Sequence, residues 1–263
     1  MRPGSRQWMA LGVLGVLVLA GCNGPLSPEA KQLLTQARTA YDRNDNGAVV
    51  SLTGRFFQEH PDSIALDEAH YLRGMARFRL SEYPAAVADF KRALDVTNRD
   101  SIRALAYTQL GEIAFMRNEL DRAEQFTRAA LEHTDPAEPP ADKALYRLGC
   151  TLQRTGKWVQ ADERLGKVTF WFRGTELARR AKRRISARAW TVRAGTFTKR
   201  RFAEAAVREL RKAKLNPQLQ VEVREGKLVY LVEIGRFQEY ALAMAQLAAV
   251  RPHQGDAFIS VTR

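Results

Sequence analysis

The stretch Trp190-Thr-Val-Arg-Ala-Gly-Thr-Phe197 reads aromatic-x-Val-x-x-Gly-x-Phe, and the pattern returns forty positions later as Tyr230-Leu-Val-Glu-Ile-Gly-Arg-Phe237. Each copy begins with alternating side chains, as a strand does. Each ends in Gly-x-Phe, which predicts a sharp exit from the strand with an aromatic anchor. A helical pattern follows each copy. The duplication therefore predicts a small domain of two strand–helix units.

The segments around the two copies complete a βαββαβ order. Strands are predicted at about residues 189–194, 218–224, 228–234 and 257–262, and helices at about residues 202–214 and 239–250. The Glu225-Gly226 pair predicts a hairpin turn between the second and third strands. This order closes as a four-stranded antiparallel sheet with both helices on one face.

Alternation along the strands divides their side chains between the two faces of this sheet. Trp190 and Val232 are predicted to point toward the helices, and Arg193, Val229 and Leu231 away from them. An apolar patch flanked by polar groups is typical of a binding surface. The alternative is that this face packs against the rest of the chain or against a second copy.

Residues 28–175 form a helix-rich region with an internal repeat. Gly74, Gly111 and Gly149 each precede an alanine by twelve positions, and a degenerate first copy places Ala37 and Val49 in the same frame. Small residues at these offsets allow two antiparallel helices to cross closely. The pattern predicts a row of helical hairpins with a period of 37 to 38 residues.

This pattern resembles the tetratricopeptide repeat, which has a small residue in its first helix and an alanine twelve positions later in its second. The resemblance implies an α-helical superhelical array whose concave face holds a segment of a protein partner. The alternative is that the array is only a spacer.

Residues 176–188 join the array to the terminal domain. Leu177, Ala181 and Ile185 form one apolar stripe on a helix whose other faces are basic. The stripe predicts a helix that caps the array, and the basic faces are either solvated or an anchor for anionic phosphate groups. Acidic and basic residues balance over residues 22–175, so the net charge of +13 resides mainly in the joint and the terminal domain.

The N-terminus has the organisation of a secretory signal. Arg2 and Arg6 precede an apolar run that is shorter than the roughly 20 residues of a membrane span. Leu19-Ala-Gly-Cys22 resembles the lipobox of bacterial lipoproteins, which implies a signal peptide over residues 1–21, lipidation of Cys22 and a tether over residues 22–27. A plain secretory signal or a buried helix is the alternative.

The predicted secretion limits which anionic partners such a basic chain can meet. A lipid-anchored protein outside the cytoplasm does not meet nucleic acid, which leaves the membrane and anionic wall polymers. Asn23 stands where an Asp would favour retention in the inner membrane, so we expect the outer membrane rather than the inner one. Cys150 has no second cysteine to pair with and is predicted to be a buried core residue.

Residues 189–263 as a whole resemble the SPOR (sporulation-related) domain, through the duplicated strand pattern, the alanine-rich helices and the closing strand. The resemblance implies binding to peptidoglycan, at glycan strands stripped of their stem peptides. Carried over by position, the site comprises Arg193, Thr196, Val229, Leu231 and Ile259.

Residue types that carry catalysis are not grouped in the sequence. His60, His70, His133 and His253 are scattered, and neither a nucleophile elbow nor a glycine-rich phosphate loop is present. The sequence therefore predicts no enzyme, no cofactor and no metal. RNA-binding folds share the βαββαβ order, but the predicted outward positions lack the aromatic residues that such folds use.

Together these patterns predict a non-catalytic, lipid-anchored envelope scaffold that binds denuded glycan and a protein partner, such as a cell-wall enzyme or a division protein, at sites of division or wall remodelling. The alternative function is an envelope assembly or division-coordination lipoprotein that acts through protein contacts of its repeats.

Replacement Cys22→Ala tests the lipoprotein prediction. Without the thiol that carries the acyl chain, the precursor should not be processed and should keep its signal. Electrophoresis and mass spectrometry of membrane fractions measure this. Maturation at the normal size would show that the segment is not a lipoprotein signal.

Overall fold

The computed structural model describes residues 26–224 and 226–262. The predicted signal peptide and Cys22 lie outside these residues. Nine helices precede the sheet in this part of the chain: α1 (Pro28–Asp42), α2 (Asn46–Glu59), α3 (Leu66–Arg79), α4 (Tyr83–Val96), α5 (Asp100–Met116), α6 (Leu120–Glu132), α7 (Ala141–Arg154), α8 (Trp158–Trp171) and α9 (Glu176–Arg184). Among the described helices, none combines the length and the apolar character needed to cross a membrane.

The first eight helices form four hairpins with identical turns. Each turn contains one residue in the left-handed region of φ, at Asn44, Ser81, Asn118 and Gly156. The next residue donates its N–H to a carbonyl five positions back, as Asp45 does to Ala40 at 2.9 Å. This bond ends one helix and directs the chain into the next. The repeating turn accounts for the period seen in the sequence.

The repeated spacing of small residues has the predicted mechanical role. Ala37, Val49 and the three alanines twelve positions after the glycines are buried. However, each glycine mainly makes room for a side chain sixteen positions on. A Cβ atom placed on the glycine would lie 2.7 Å from that side chain in all three pairs, which are Gly74–Phe90, Gly111–Thr127 and Gly149–Leu165.

The hairpins stack into two layers. The odd-numbered helices pack side by side, α1 against α3, α3 against α5 and α5 against α7, whereas the even-numbered helices pack mainly against their odd-numbered neighbours. Because the layer with closer neighbours lies on the inside of a curve, the odd-numbered helices line the concave side of the array.

Helix α9 covers the open end of the array, as its apolar stripe predicts. Ala181 is fully buried, and Leu177 and Ile185 pack against the core of the last hairpin. Cys150 lies in the same core as a free, buried thiol. The helix ends at Arg184, four residues before the predicted end at position 188.

The terminal domain has the predicted βαββαβ order. Its elements are β1 (Ala189–Phe197), α10 (Arg200–Lys212), β2 (Pro217–Arg224), β3 (Lys227–Phe237), α11 (Tyr240–Val250) and β4 (Phe258–Thr262). The strands form one antiparallel sheet in the order β2-β3-β1-β4. Both helices cover one face, where Val192 and Val232 meet Leu210 of α10 and Leu247 of α11.

The prediction that Gly-x-Phe marks a sharp exit from the strand was wrong. Both β1 and β3 continue through the glycine and end at the phenylalanine. A Cβ atom on Gly195 would lie 2.5 Å from the ring of Phe197, and one on Gly235 would overlap the ring of Phe237. Each ring therefore lies over the glycine two residues before it, on the face that the helices cover.

Two glycine replacements test the packing of the repeats. Gly74→Ala should lower the free energy of unfolding by about 1–3 kcal/mol, because the buried ring of Phe90 cannot move away from the new methyl group. The matched control is Gly54→Ala in α2, where nothing lies within 4 Å of the added carbon. The control should raise stability by roughly 0.5–1 kcal/mol through helix propensity.

Urea denaturation of both variants measures the difference. Equal effects of the same sign at the two positions would contradict the role assigned to the repeat glycines.

Candidate functional sites

The sheet face opposite α10 and α11 carries Arg193, but not as a free cation. Arg193 pairs with Glu233 across β1 and β3, and its guanidinium donates to the Glu233 carboxylate at 3.0 Å (Nε) and 2.5 Å (Nη2). The two side chains are only 12% and 6% exposed. Arg193 therefore lies on the predicted face of the sheet, but its guanidinium already neutralises a buried carboxylate.

Leu231 lies on the same face but is fully buried, so the predicted exposed platform at this position was also wrong. Strand β3 is an inner strand, and Leu231 stands between Thr196 of β1 and Gln220 of β2. Thr196 itself is exposed and Val229 is half-buried, as a surface role at these positions requires.

In strand β4, the residue on the outer face is Phe258, one position before the predicted Ile259. Ile259 pairs with Val192 and packs against the core on the helix side, so its predicted outward position was wrong. Phe258 stands opposite Arg193 instead, with its ring 5.9 Å from the guanidinium and 47% of its surface exposed. The expectation that no aromatic residue points outward was wrong for the same reason.

A sequence signal for Phe258 was present in the residue before it. Ala257 is small and belongs to the buried core. Alternation starting from Ala257 places Phe258 outward and Ile259 inward. We name the surface formed by Thr196, Val229 and Phe258 the sheet patch. The guanidinium of the Arg193–Glu233 pair lies beside the ring of Phe258.

The terminal domain is docked on the last repeat through an aromatic cluster. Trp190 contacts Tyr240 at the start of α11, with ring centroids 4.9 Å apart, as an inward-facing residue should. It also contacts Trp158 of α8 at 5.4 Å, which the sequence did not indicate. Asp162 of α8 adds polar links, since it accepts from Arg188 at 2.8 Å and from the backbone N–H of Ser186 at 2.9 Å.

The repeats carry buried charges whose role is structural. Asp89 of α4 is 2% exposed and accepts from Arg73 and Arg77 of α3, at 2.6 and 2.8 Å. Burial opposes ionisation of Asp89, but the neighbouring His70 side chain and the guanidinium groups of Arg73 and Arg77 outweigh burial and lower its pKa. The carboxylate is therefore charged at neutral pH and ties the two helices of the second hairpin together.

The described part of the chain contains no group of three or more His, Cys, Asp or Glu side chains that could hold a metal ion.

Comparison with known proteins relates the array to solved repeat structures. A tetratricopeptide repeat protein from Parabacteroides merdae matches with a TM-score of 0.51 and 13% identity, over 60% of this chain and 59% of that one. MamA matches with a TM-score of 0.45 and 22% identity, over 53% of this chain and 75% of that one. YrrB, described as a TPR protein with an unusual peptide-binding site, matches with a TM-score of 0.47 and 14% identity, over 86% and 87%.

These comparisons concern the fold alone. At 13% identity, the likeness to the Parabacteroides protein identifies the helical region as a tetratricopeptide-like array. No protein-family model and no curated protein matches the chain.

Loss of the Arg193 side chain should destabilise the terminal domain. Arg193→Ala leaves Glu233 charged and buried, and should cost about 3 kcal/mol of the free energy of unfolding. The double replacement of Arg193 and Glu233 by Met should recover most of this loss, because it removes both charges. Urea denaturation of the full chain measures both effects.

The exposed pair Arg224–Glu222 provides the control. Arg224→Ala should change stability by less than about 1 kcal/mol, since both partners of this pair are solvated. An Arg193→Ala variant no less stable than Arg224→Ala would show that the buried pair is not structural.

Proposed function

We propose that the chain is a non-catalytic, lipid-anchored scaffold of the bacterial cell envelope, with one binding surface on its repeats and another on its terminal sheet. The repeats would bind a protein, and the sheet patch would bind peptidoglycan at glycan strands that lack stem peptides. The observation that carries the glycan assignment is Phe258, an exposed ring on the face of a SPOR-like βαββαβ sheet that lies opposite the two helices.

The chemistry of the sheet patch suits a sugar. The face of a phenyl ring is apolar and matches the apolar face of a pyranose ring. The hydroxyl of the exposed Thr196 can donate to, or accept from, sugar hydroxyls and N-acetyl groups. Arg193 has a positioning role, because its guanidinium is bonded to Glu233 and lies beside the ring of Phe258.

The shape of the array supports the proposal that the repeats bind a protein. Its odd-numbered helices form one continuous layer on the concave side. Repeat arrays of this kind hold an extended or helical segment of another protein in such a groove. A cell-wall enzyme or a division protein is the class of partner that would benefit from delivery to denuded glycan.

The predicted lipid anchor places both surfaces in the envelope, facing the periplasm, with the outer membrane favoured over the inner one. The net charge of +13 favours contact with anionic lipid and wall polymers. Attachment to a membrane raises the effective concentration of each partner, so that each contact can be weak. The function is then localisation of a partner at sites of division or wall remodelling.

The alternative function is an assembly or division-coordination scaffold that acts through its repeats alone. The docking of Trp190 between Trp158 and Tyr240 favours it, because this contact makes the terminal domain an extension of the array. In that case the sheet patch would not recognise glycan.

A pull-down on purified wall sacculi separates the two functions. The full-length chain should be retained more strongly on sacculi treated with an amidase, which removes stem peptides, than on untreated sacculi. Phe258→Ala should weaken retention about tenfold, the effect of losing one stacked ring. The variant should fold normally, because the ring is about half exposed.

Phe202→Ala is the matched control, because Phe202 of α10 is 51% exposed and lies on a helix rather than on the sheet patch. It should be retained like the unmodified chain. Retention that does not increase after amidase treatment would contradict the glycan assignment and favour the alternative.

A further inference from the structure

A cleft lies between the array and the terminal domain, apart from both the concave groove and the sheet patch. Its volume is about 730 Å³. One wall consists of the turns of the third and fourth hairpins, and the other is the first turns of α11. The side chains that line it include Met116, Leu120, Arg154, Glu239, Tyr240 and Met244.

Arg154 is a cation without a carboxylate partner. No Asp or Glu oxygen among the described residues lies within 4 Å of its guanidinium, which donates only to the carbonyl of Phe115, at 3.2 Å. The guanidinium is instead held between two rings, 3.8 Å from the centroid of Phe115 and 4.5 Å from that of Tyr240. Burial lowers the pKa of Arg154.

The remaining lining is apolar and adaptable. Met116 and Met244 are 50% and 47% exposed, although both are large apolar side chains, and Leu120 lies beside them. Methionine side chains on a surface accommodate varied apolar partners, because they are flexible and polarisable. The first turn of α11 also lines the cleft, and the positive end of a helix favours a negative group.

We propose that this cleft binds the C-terminal end of a partner polypeptide, with the terminal carboxylate on Arg154 and an apolar last side chain between Met116 and Met244. A free C-terminus carries its carboxylate on the same carbon as its last side chain. It therefore matches a guanidinium bordered directly by apolar groups. The volume suits two or three residues. Glu239 in the lining disfavours ligands with further negative charge.

This site depends on the docking of the terminal domain. Arg154 comes from the array and Tyr240 from α11, and the Trp158–Trp190 contact holds the two together. The inference rests on neither glycan binding nor lipidation, so its failure would leave the proposed function intact. It adds a second protein contact, at the turn edge of the array.

Binding of labelled heptapeptides to the full-length chain tests the proposal. The probes are a pool with Leu, Phe, Val or Met as the last residue and the two preceding positions varied, prepared once with a free carboxylate and once with a C-terminal amide. Fluorescence polarisation should detect binding of the free acids, and the amides should bind about tenfold or more weakly, since they lose a charge-assisted hydrogen bond. The proposal would be overturned if the free acids did not bind at millimolar concentration, or if acids and amides bound equally well.

Variants locate the binding to the cleft. Arg154→Gln should abolish the preference for the free acid, and Met244→Trp should block binding by filling the cleft. The controls are Arg180→Gln, a cation over the ring of Tyr146 outside the cleft, and Leu242→Trp, an exposed α11 residue that does not line it. Both controls should bind like the unmodified chain. Unchanged binding by Arg154→Gln together with Met244→Trp would contradict the proposal.

Discussion

Close contact between a glycine and a neighbouring side chain is the constraint on which both halves of this protein depend. In the array, Gly74, Gly111 and Gly149 receive a side chain from the second helix of the same hairpin. In the terminal sheet, Gly195 and Gly235 lie under the phenylalanine two residues ahead. In both settings a Cβ atom would occupy the space of the neighbour. Interiors are packed too densely to absorb such an overlap without cost, so these positions require glycine.

The contact between the two halves has a different character, because it uses large aromatic rings and cations rather than small residues. Trp190 belongs to the sheet, yet it contacts both Trp158 of the array and Tyr240 of its own domain. Arg154 reaches from the last hairpin to the ring of Tyr240. A joint built in this way fixes the terminal domain against the array. It also creates the cleft between them, so the proposed binding of a polypeptide end is a property of the assembled chain.

The predicted site residues of the terminal sheet show what local sequence patterns can and cannot predict about function. Alternation correctly placed Arg193 and Leu231 on the sheet face away from the helices, but it carries no information on what covers that face. Arg193 neutralises Glu233, and Leu231 is fully buried. Phe258 lies on this face although the resemblance assigned Ile259 to it, because alternation from the buried Ala257 turns Phe258 outward. Thr196 and Val229 remain as surface positions, now joined by Phe258.

The sequence by itself determined the helical hairpins and the βαββαβ order of the elements, though not the ends of every element, because this order follows from local periodicity, turn residues and the spacing of small side chains. It also indicated the capping role of α9 through Leu177, Ala181 and Ile185. Only the tertiary structure decided which charged groups were neutralised, which strand residues were enclosed and where the two halves met. Those outcomes depend on pairs distant in sequence, such as Arg193 with Glu233 and Trp158 with Trp190. No local pattern specifies such a pair, because its energy arises only when folding brings both members together and removes them from water.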